Sequence, residues 1–141
     1  VESALLNNWV KVNDEWNNTK LEEDFTKILK TREIVTRAIE PLRAAKTIGS
    51  SLEVGVYLKS ADSEILKANQ NDLADIFIVS QAFVTESKPK EVLNEYTEGE
   101  TTIWVVKAEG EKCERCWKYR PLGEHSGHET ICSDCYKAIK E

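Results

Sequence analysis

Residues 113–135 read CERCWKYRPLGEHSGHETICSDC, and the two Cys-x-x-Cys pairs that bracket this stretch decide what the carboxy-terminal part of the chain can be. A Cys-x-x-Cys pair on a tight turn can aim two sulfurs at one centre about 2.3 Å away, and two such turns complete a tetrahedron. The fifteen-residue spacer carries Pro121, Gly123 and Gly127, so it is long enough and flexible enough to bring the second turn back to the first. All four cysteines of the chain lie in this module. The spacing predicts one structural Zn²⁺ on Cys113, Cys116, Cys132 and Cys135. Two disulfides would close very small loops and would suit a secreted chain. Iron–sulfur runs have other spacings. His125 or His128 could replace a sulfur, but four thiolates already close a structural site. A catalytic zinc would keep an open position, and nothing in the stretch argues for one.

Four thiolates around Zn²⁺ leave a net charge of about −2. Lys112, Arg115, Lys118 and Arg120 surround the first pair and would stabilise that charge. The same cations, with Trp117 and Tyr119 between them, could instead meet RNA phosphates and stack on unpaired bases. The residues alone favour neither reading, and Trp117 could pack under the zinc as well as face a base.

Working outward, Thr101 to Ala108 has strand character, with Ile103 and Val105 on one face and Trp104 and Val106 on the other. Residues 86–100 are polar, carry Pro89 and Gly99, and predict a surface loop. Phe77 to Val84 is β-branched and aromatic and predicts one or two strands. Ser60 to Asp62 offers a cap for a short helix through Ile65, Leu66, Leu73 and Ile76. From Leu52 to Lys59 the apolar residues alternate, as in a half-buried strand.

The strongest helix signal begins after Thr19, which has capping-box spacing to Glu22. Leu21, Phe25, Ile28, Leu29, Val35, Ile39, Leu42 and Ala45 then recur every three or four residues. Lys46 falls in the expected last turn and Gly49 just beyond. Pro41 predicts a kink or restart, because an interior Pro loses a hydrogen bond and its ring clashes. Trp9, Val10, Val12 and Trp16 form an apolar patch without clear period, expected to pack on this helix or on something outside the chain. The element order predicts an α+β fold: an N-terminal helical segment over 1–50, a small mixed α/β unit over 51–108, and a zinc-ribbon-like module over 109–141.

The chain has 141 residues, 40% hydrophobic and 31% charged, which excludes a disordered tail. No run approaches the ~20 apolar residues of a membrane span. Val1 opens no signal peptide and the chain contains no Met, so we expect a cytoplasmic fragment of a longer protein. The net charge of −6 sits in the middle: residues 51–100 hold ten acidic and four basic side chains, while each end is balanced. Charge alone does not favour a nucleic-acid partner, and any phosphate contacts belong to the two ends.

Two stretches resemble a known family. Arg43-Ala-Ala-Lys46-Thr-Ile48-Gly49-Ser-Ser51-Leu52-Glu53 is similar to the R-x2-K-x-I-G-x-S-L-E segment of bacterial isoleucyl-tRNA synthetases, where a helix of the anticodon-binding region runs into a strand. Lys112-Cys113-Glu-Arg115-Cys116-Trp117 resembles the K-C-x-R-C-W segment that opens their C-terminal zinc module. Both lie in the family's order and spacing, with Trp16 and Phe25 upstream, and the resemblance covers nearly the whole chain. It implies that 1–50 ends the helical anticodon-binding domain, 51–108 is a junction domain, and 109–141 binds zinc through the four cysteines. It further implies a monomeric tRNA-recognition fragment of an isoleucine–tRNA ligase, partnered by the anticodon stem-loop of isoleucine tRNA and by the remainder of the synthetase chain. Arg115, Trp117, Lys118 and Arg120 become candidate RNA contacts as a region. The family's H-I-G-H and K-M-S-K-S signatures are absent here, so ATP and Mg²⁺ belong to a catalytic domain elsewhere, no catalytic residue is expected, and the fragment should be inactive.

Two rival readings fit parts of the sequence. A DNA-repair glycosylase carries a similar zinc module, but needs an N-terminal Pro nucleophile and a helix–two-turn–helix before the zinc, where this chain has Val1 and alternating strands. A zinc-ribbon protein-interaction adaptor without RNA specificity would suit the acidic middle segment.

Overall fold

A 26-residue helix, α1 (Thr19–Ala44), lies across one face of a four-stranded sheet. This computed structural model describes residue 3 and residues 8–140. The N-cap of α1 is Asn18, whose side chain accepts the Leu21 N–H at 3.0 Å; it is not Thr19, which is the first helical residue. An Asn in extended conformation presents its carbonyl oxygen to the orphan amides of the first turn, so it takes the role its neighbour was expected to play. At the other end the chain turns through Ala45 and Lys46, the latter at φ +56. Lys46 N–H bonds to Arg43 C=O and Thr47 N–H to Leu42 C=O, which closes a Schellman cap one turn earlier than Gly49. The helix does not restart at Pro41. It is unbroken through that residue, whose position in the last turn leaves only the Arg37 carbonyl without its helical donor.

The sheet order is β2-β1-β4-β3, with β1 (Val54–Lys59), β2 (Gln81–Val84), β3 (Asn94–Glu98) and β4 (Thr101–Lys107). β1 and β2 are parallel; β4 runs antiparallel to both β1 and β3. The parallel pair needs a crossover, supplied by α2 (Ser63–Ala68) and α3 (Gln70–Phe77). Several boundaries differ from the sequence reading. Leu52 belongs to a short 3-10 turn, Ser51–Glu53, held by a capping box between Ser50 and Glu53, so the strand begins at Val54. Two helices stand where one was expected. Phe77 ends α3, and only the second half of 77–84 is strand, because Ile78 turns left-handed at φ +57 to close the helix. The stretch 86–100 also contains β3, paired to β4 across a two-residue loop at Gly99–Glu100.

One buried cluster joins Ile28, Val35, Ile39 and Leu42 of α1 to Val54, Val56, Leu58, Ile103 and Val105 of the sheet, with Leu66 and Leu73 from the crossover. Asn94 Nδ2 donates to the Ala38 carbonyl at 2.7 Å, and Arg37 pairs with Glu98 at 2.6 Å, so the edge strand β3 is clasped to α1. The amino-terminal third of the apolar stripe stays open: Leu21, Phe25 and Leu29 are 55%, 43% and 43% exposed. Trp9, Val10, Val12 and Trp16 do not pack on α1; all four are exposed. No helix among the described residues is long and apolar enough to cross a membrane. The fold is α+β with a separate four-cysteine module at its carboxy-terminal side.

Candidate metal centre

The module begins with a minimal hairpin, β5 (Glu111–Lys112) against β6 (Tyr119–Arg120), whose turn is the first Cys-x-x-Cys pair. Cys113 N–H bonds to Lys118 C=O at 2.9 Å and Trp117 N–H to Cys113 C=O at 2.8 Å, which curls the turn around its sulfurs. Trp117 takes φ +65 to complete the curl, a conformation that costs a non-glycine residue roughly 1–2 kcal/mol. Gly110, at φ +94, lets the entering strand pass β6: a Cβ there would lie 2.6 Å from the Arg120 carbonyl carbon.

The second pair sits at the start of α4 (Ser133–Lys140), where Tyr136 N–H bonds to Cys132 C=O. A helix start carries partial positive charge, which favours thiolates. Cys132 N–H points at Cys113 Sγ at 3.4 Å, and Glu114 N–H bonds to Thr130 C=O at 3.1 Å, so the two turns face each other.

All four cysteines are unbridged, and their sulfurs lie within 4.8 Å of one another. The Cys116 and Cys132 sulfurs are 3.8 Å apart, near the edge of a tetrahedron built on Zn–S bonds of about 2.3 Å and far beyond the ~2.05 Å of a disulfide. Cys113, Cys132 and Cys135 are buried and Cys116 is half-buried. Burial opposes ionisation of Cys113, but N–H donors from Cys116, Cys132 and Arg115 outweigh it and bring this thiol down to about 6. Burial pushes Cys116 up to about 12 and also raises Cys132. Cys113 thus ionises more readily than Cys116 and Cys132, which burial holds back. A divalent cation is what stabilises all four as thiolates. The donor set therefore fits one structural zinc. Cys113, Cys116, Cys132 and Cys135 are the residues that could hold it.

The other candidate residues separate into two groups. Arg115 and Trp117 are exposed, with the Lys112 ammonium 5.0 Å from the Trp117 ring centroid. Lys118 is only 9% exposed and its ammonium contacts Asp75 of α3; Arg120 contacts Asp134 of α4. Arg115, Lys118 and Arg120 nonetheless share one cleft with Cys116, Cys132 and Cys135, so their charge lies beside the sulfurs. His125 and His128 flank the Tyr136 ring, at 3.8 and 5.4 Å between centroids, and neither belongs to the sulfur cluster.

Sequence reasoning missed how the module is seated. Ser80 Oγ accepts the Tyr119 N–H at 2.7 Å, and the Gln81 amide bonds to the backbone of Glu109 and Tyr119. The signal available was a polar Ser80-Gln81 pair interrupting an apolar run, which a strand buried on both faces would not carry.

Residues 110–138 match the family described as "Zinc finger found in FPG and IleRS". The chain is 37% identical to the chloroplastic/mitochondrial isoleucine–tRNA ligase of Arabidopsis thaliana, over 93% of this chain and 14% of that protein. It is 38% identical to the isoleucine–tRNA ligase of Syntrophomonas wolfei, over 99% of this chain and 16% of the relative. For the enzyme of Fervidobacterium nodosum the identity is 36%, over 99% of this chain and 15% of the relative. The chain spans about one seventh of the length of these curated relatives.

Proposed function

The chain belongs to the isoleucine–tRNA ligase family, as its zinc-finger-bearing C-terminal region, and from that premise we propose that it positions the anticodon stem-loop of isoleucine tRNA. Cys113, Cys116, Cys132 and Cys135 hold the zinc, and the zinc holds the first knuckle rigid. Arg115 and Trp117, both exposed on that knuckle, meet the RNA directly. A guanidinium supplies phosphate contact and salt-dependent affinity, and an indole face accepts an unpaired base. Lys118 and Arg120 act from behind: their charges, engaged by Asp75 and Asp134, anchor the knuckle and moderate the negative charge of the zinc thiolates.

In this reading residues 1–50 end the helical anticodon-binding domain, 51–108 form the junction and 109–141 the zinc module. The whole enzyme attaches isoleucine to tRNA at the expense of ATP, in the cytoplasm and as a monomer. Bond chemistry belongs to its catalytic domain, and this chain alone should catalyse no amino-acid-dependent pyrophosphate exchange. Loop bases of an anticodon are unstacked and therefore open to side-chain reading. Their correct seating matters at a distance, since ~1 Å of misplacement at a reacting centre can cost about 10²-fold in rate.

The observation that carries this reading is the sulfur cluster with its exposed Arg115–Trp117 turn, in a chain matching the ligase over nearly its full length. Gel shifts against an isoleucine tRNA anticodon hairpin and unrelated hairpins, at low and moderate salt, test it. Preferential binding that weakens with salt is expected, and Arg115→Ala should flatten the salt slope by about one phosphate contact. Equal indifference to every hairpin would overturn it in favour of a protein-binding adaptor, the role to which the acidic middle segment is suited.

A further inference from the structure

The covalent tie between the sheet and the zinc module is three residues long, 108–110, between the end of β4 and the start of β5. It includes Gly110 at φ +94, so by itself it is a hinge. The first linker residue is fixed by the Ala108 N–H bond to the Glu53 carbonyl at 2.9 Å, and the side chain that holds the next one is Gln81. The Gln81 amide oxygen accepts the Glu109 N–H at 3.1 Å, and its Nε2 donates to the Glu109 carbonyl at 3.0 Å. A primary amide bonded in this way imitates a neighbouring strand, taking both backbone groups of the linker residue. The same Nε2 donates to the Tyr119 carbonyl at 2.7 Å, which reaches the returning strand of the module. Gln81 thus grips the linker and β6 together.

The surroundings are built to hold Gln81 there. Gly55 lies beside it on β1, where a Cβ would come within 3.2 Å of the Gln81 Oε1. Ser80, the preceding residue, accepts the Tyr119 N–H with its hydroxyl and donates that hydroxyl to the Leu52 carbonyl. The Lys118–Asp75 contact adds a third tie, from the module to α3.

We propose that Gln81 is a positioning residue: it fixes the orientation of the zinc module on the sheet, so that the exposed Arg115–Trp117 turn and the rest of the chain engage one RNA as a single rigid surface. The consequence for RNA rests on the function proposed above; the orientation itself does not. Contacts on two bodies joined rigidly add in affinity, whereas a loose joint sacrifices part of that gain through a lower effective concentration.

The test uses the zinc-loaded chain and two variants. Gln81→Ala removes the amide, and Gln81→Met removes it while keeping the side-chain length. Both should retain one zinc per chain and the β1–β4 amide protection, because neither alters a ligand or the core. Amide ¹⁵N relaxation should then show residues 111–140 reorienting faster than the sheet in both variants, where the parent chain reorients as one body. Affinity for the anticodon hairpin should fall about 10-fold, with a shallower salt slope. One common reorientation time for module and sheet in both variants would overturn the proposal. So would loosened orientation with unchanged hairpin affinity in a parent chain that binds. Failure of the parent to prefer the hairpin would instead overturn the RNA reading, while the relaxation result would still decide the role of Gln81 in orientation.

Discussion

At the scale of single residues, the carboxy-terminal module is built around positions where ordinary backbone geometry does not suffice. Gly110 combines a left-handed φ of +94 with a steric demand, since an added Cβ would lie 2.6 Å from Arg120 backbone atoms. Gly123 has a similar φ of +79 and nothing within 4 Å. The pair separates two costs. Gly123→Ala should lose only the conformational cost, about 1 kcal/mol. Gly110→Ala must also move a strand that carries the first knuckle, and should cost about 2–3 kcal/mol. Because metal affinity and folding of such a module are one free energy, the Gly110 variant should bind zinc about 5- to 30-fold more weakly than the Gly123 variant. A chelator competition titration measures both, and equal affinities would show that the close approach at Arg120 is unimportant. The clustering of the four cysteines was legible in the sequence because the Cys-x-x-Cys spacing encodes local geometry. Lys118 and Gln81 were not, because their partners, Asp75, Glu109 and Tyr119, lie 28 to 43 residues away in sequence.

At the scale of elements, the helix, the alternating first strand and the strand after residue 100 were readable because each has an apolar period that burial satisfies. The misreadings share a physical cause: local capping, turn and edge-strand determinants decided boundaries that hydrophobicity alone leaves open. Asn18 outcompeted Thr19 as cap, the Ile78 left-handed turn divided an apolar run, and β3 hid in a polar stretch. β3 is an edge strand whose residues alternate between half-buried and exposed, so its open positions, Glu95 and Thr97, are polar, as edge strands favour. The cap assignment is checkable. Asn18→Ala should destabilise α1 by about 1 kcal/mol and Thr19→Ala by much less. Amide exchange in the first two turns of α1 reads the difference, and the reverse order would restore Thr19 as the cap.

Across the whole molecule there are two cores of different chemistry. The α+β unit is held by hydrocarbon burial between α1, the crossover helices and one face of the sheet. The module's own cluster has three buried cysteines with Cys116, Leu122 and Ile131 against them, too little apolar surface for 30 residues to order themselves. Its order must come from the metal, and its orientation from the contacts that Ser80, Gln81 and Asp75 make with it. The charge is divided between the two: the acidic middle segment supplies the scaffold, while the exposed cations of the knuckle stand on the module. The order of the module, and with it the function proposed above, depends on one ion held by sulfur. Zinc K-edge X-ray absorption on the purified chain measures that most directly. One zinc per chain with four sulfur neighbours at about 2.3 Å and no nitrogen in the shell is expected. A shell with nitrogen or fewer than four sulfurs, or a metal-free chain with its cysteines oxidised to disulfides, would contradict it.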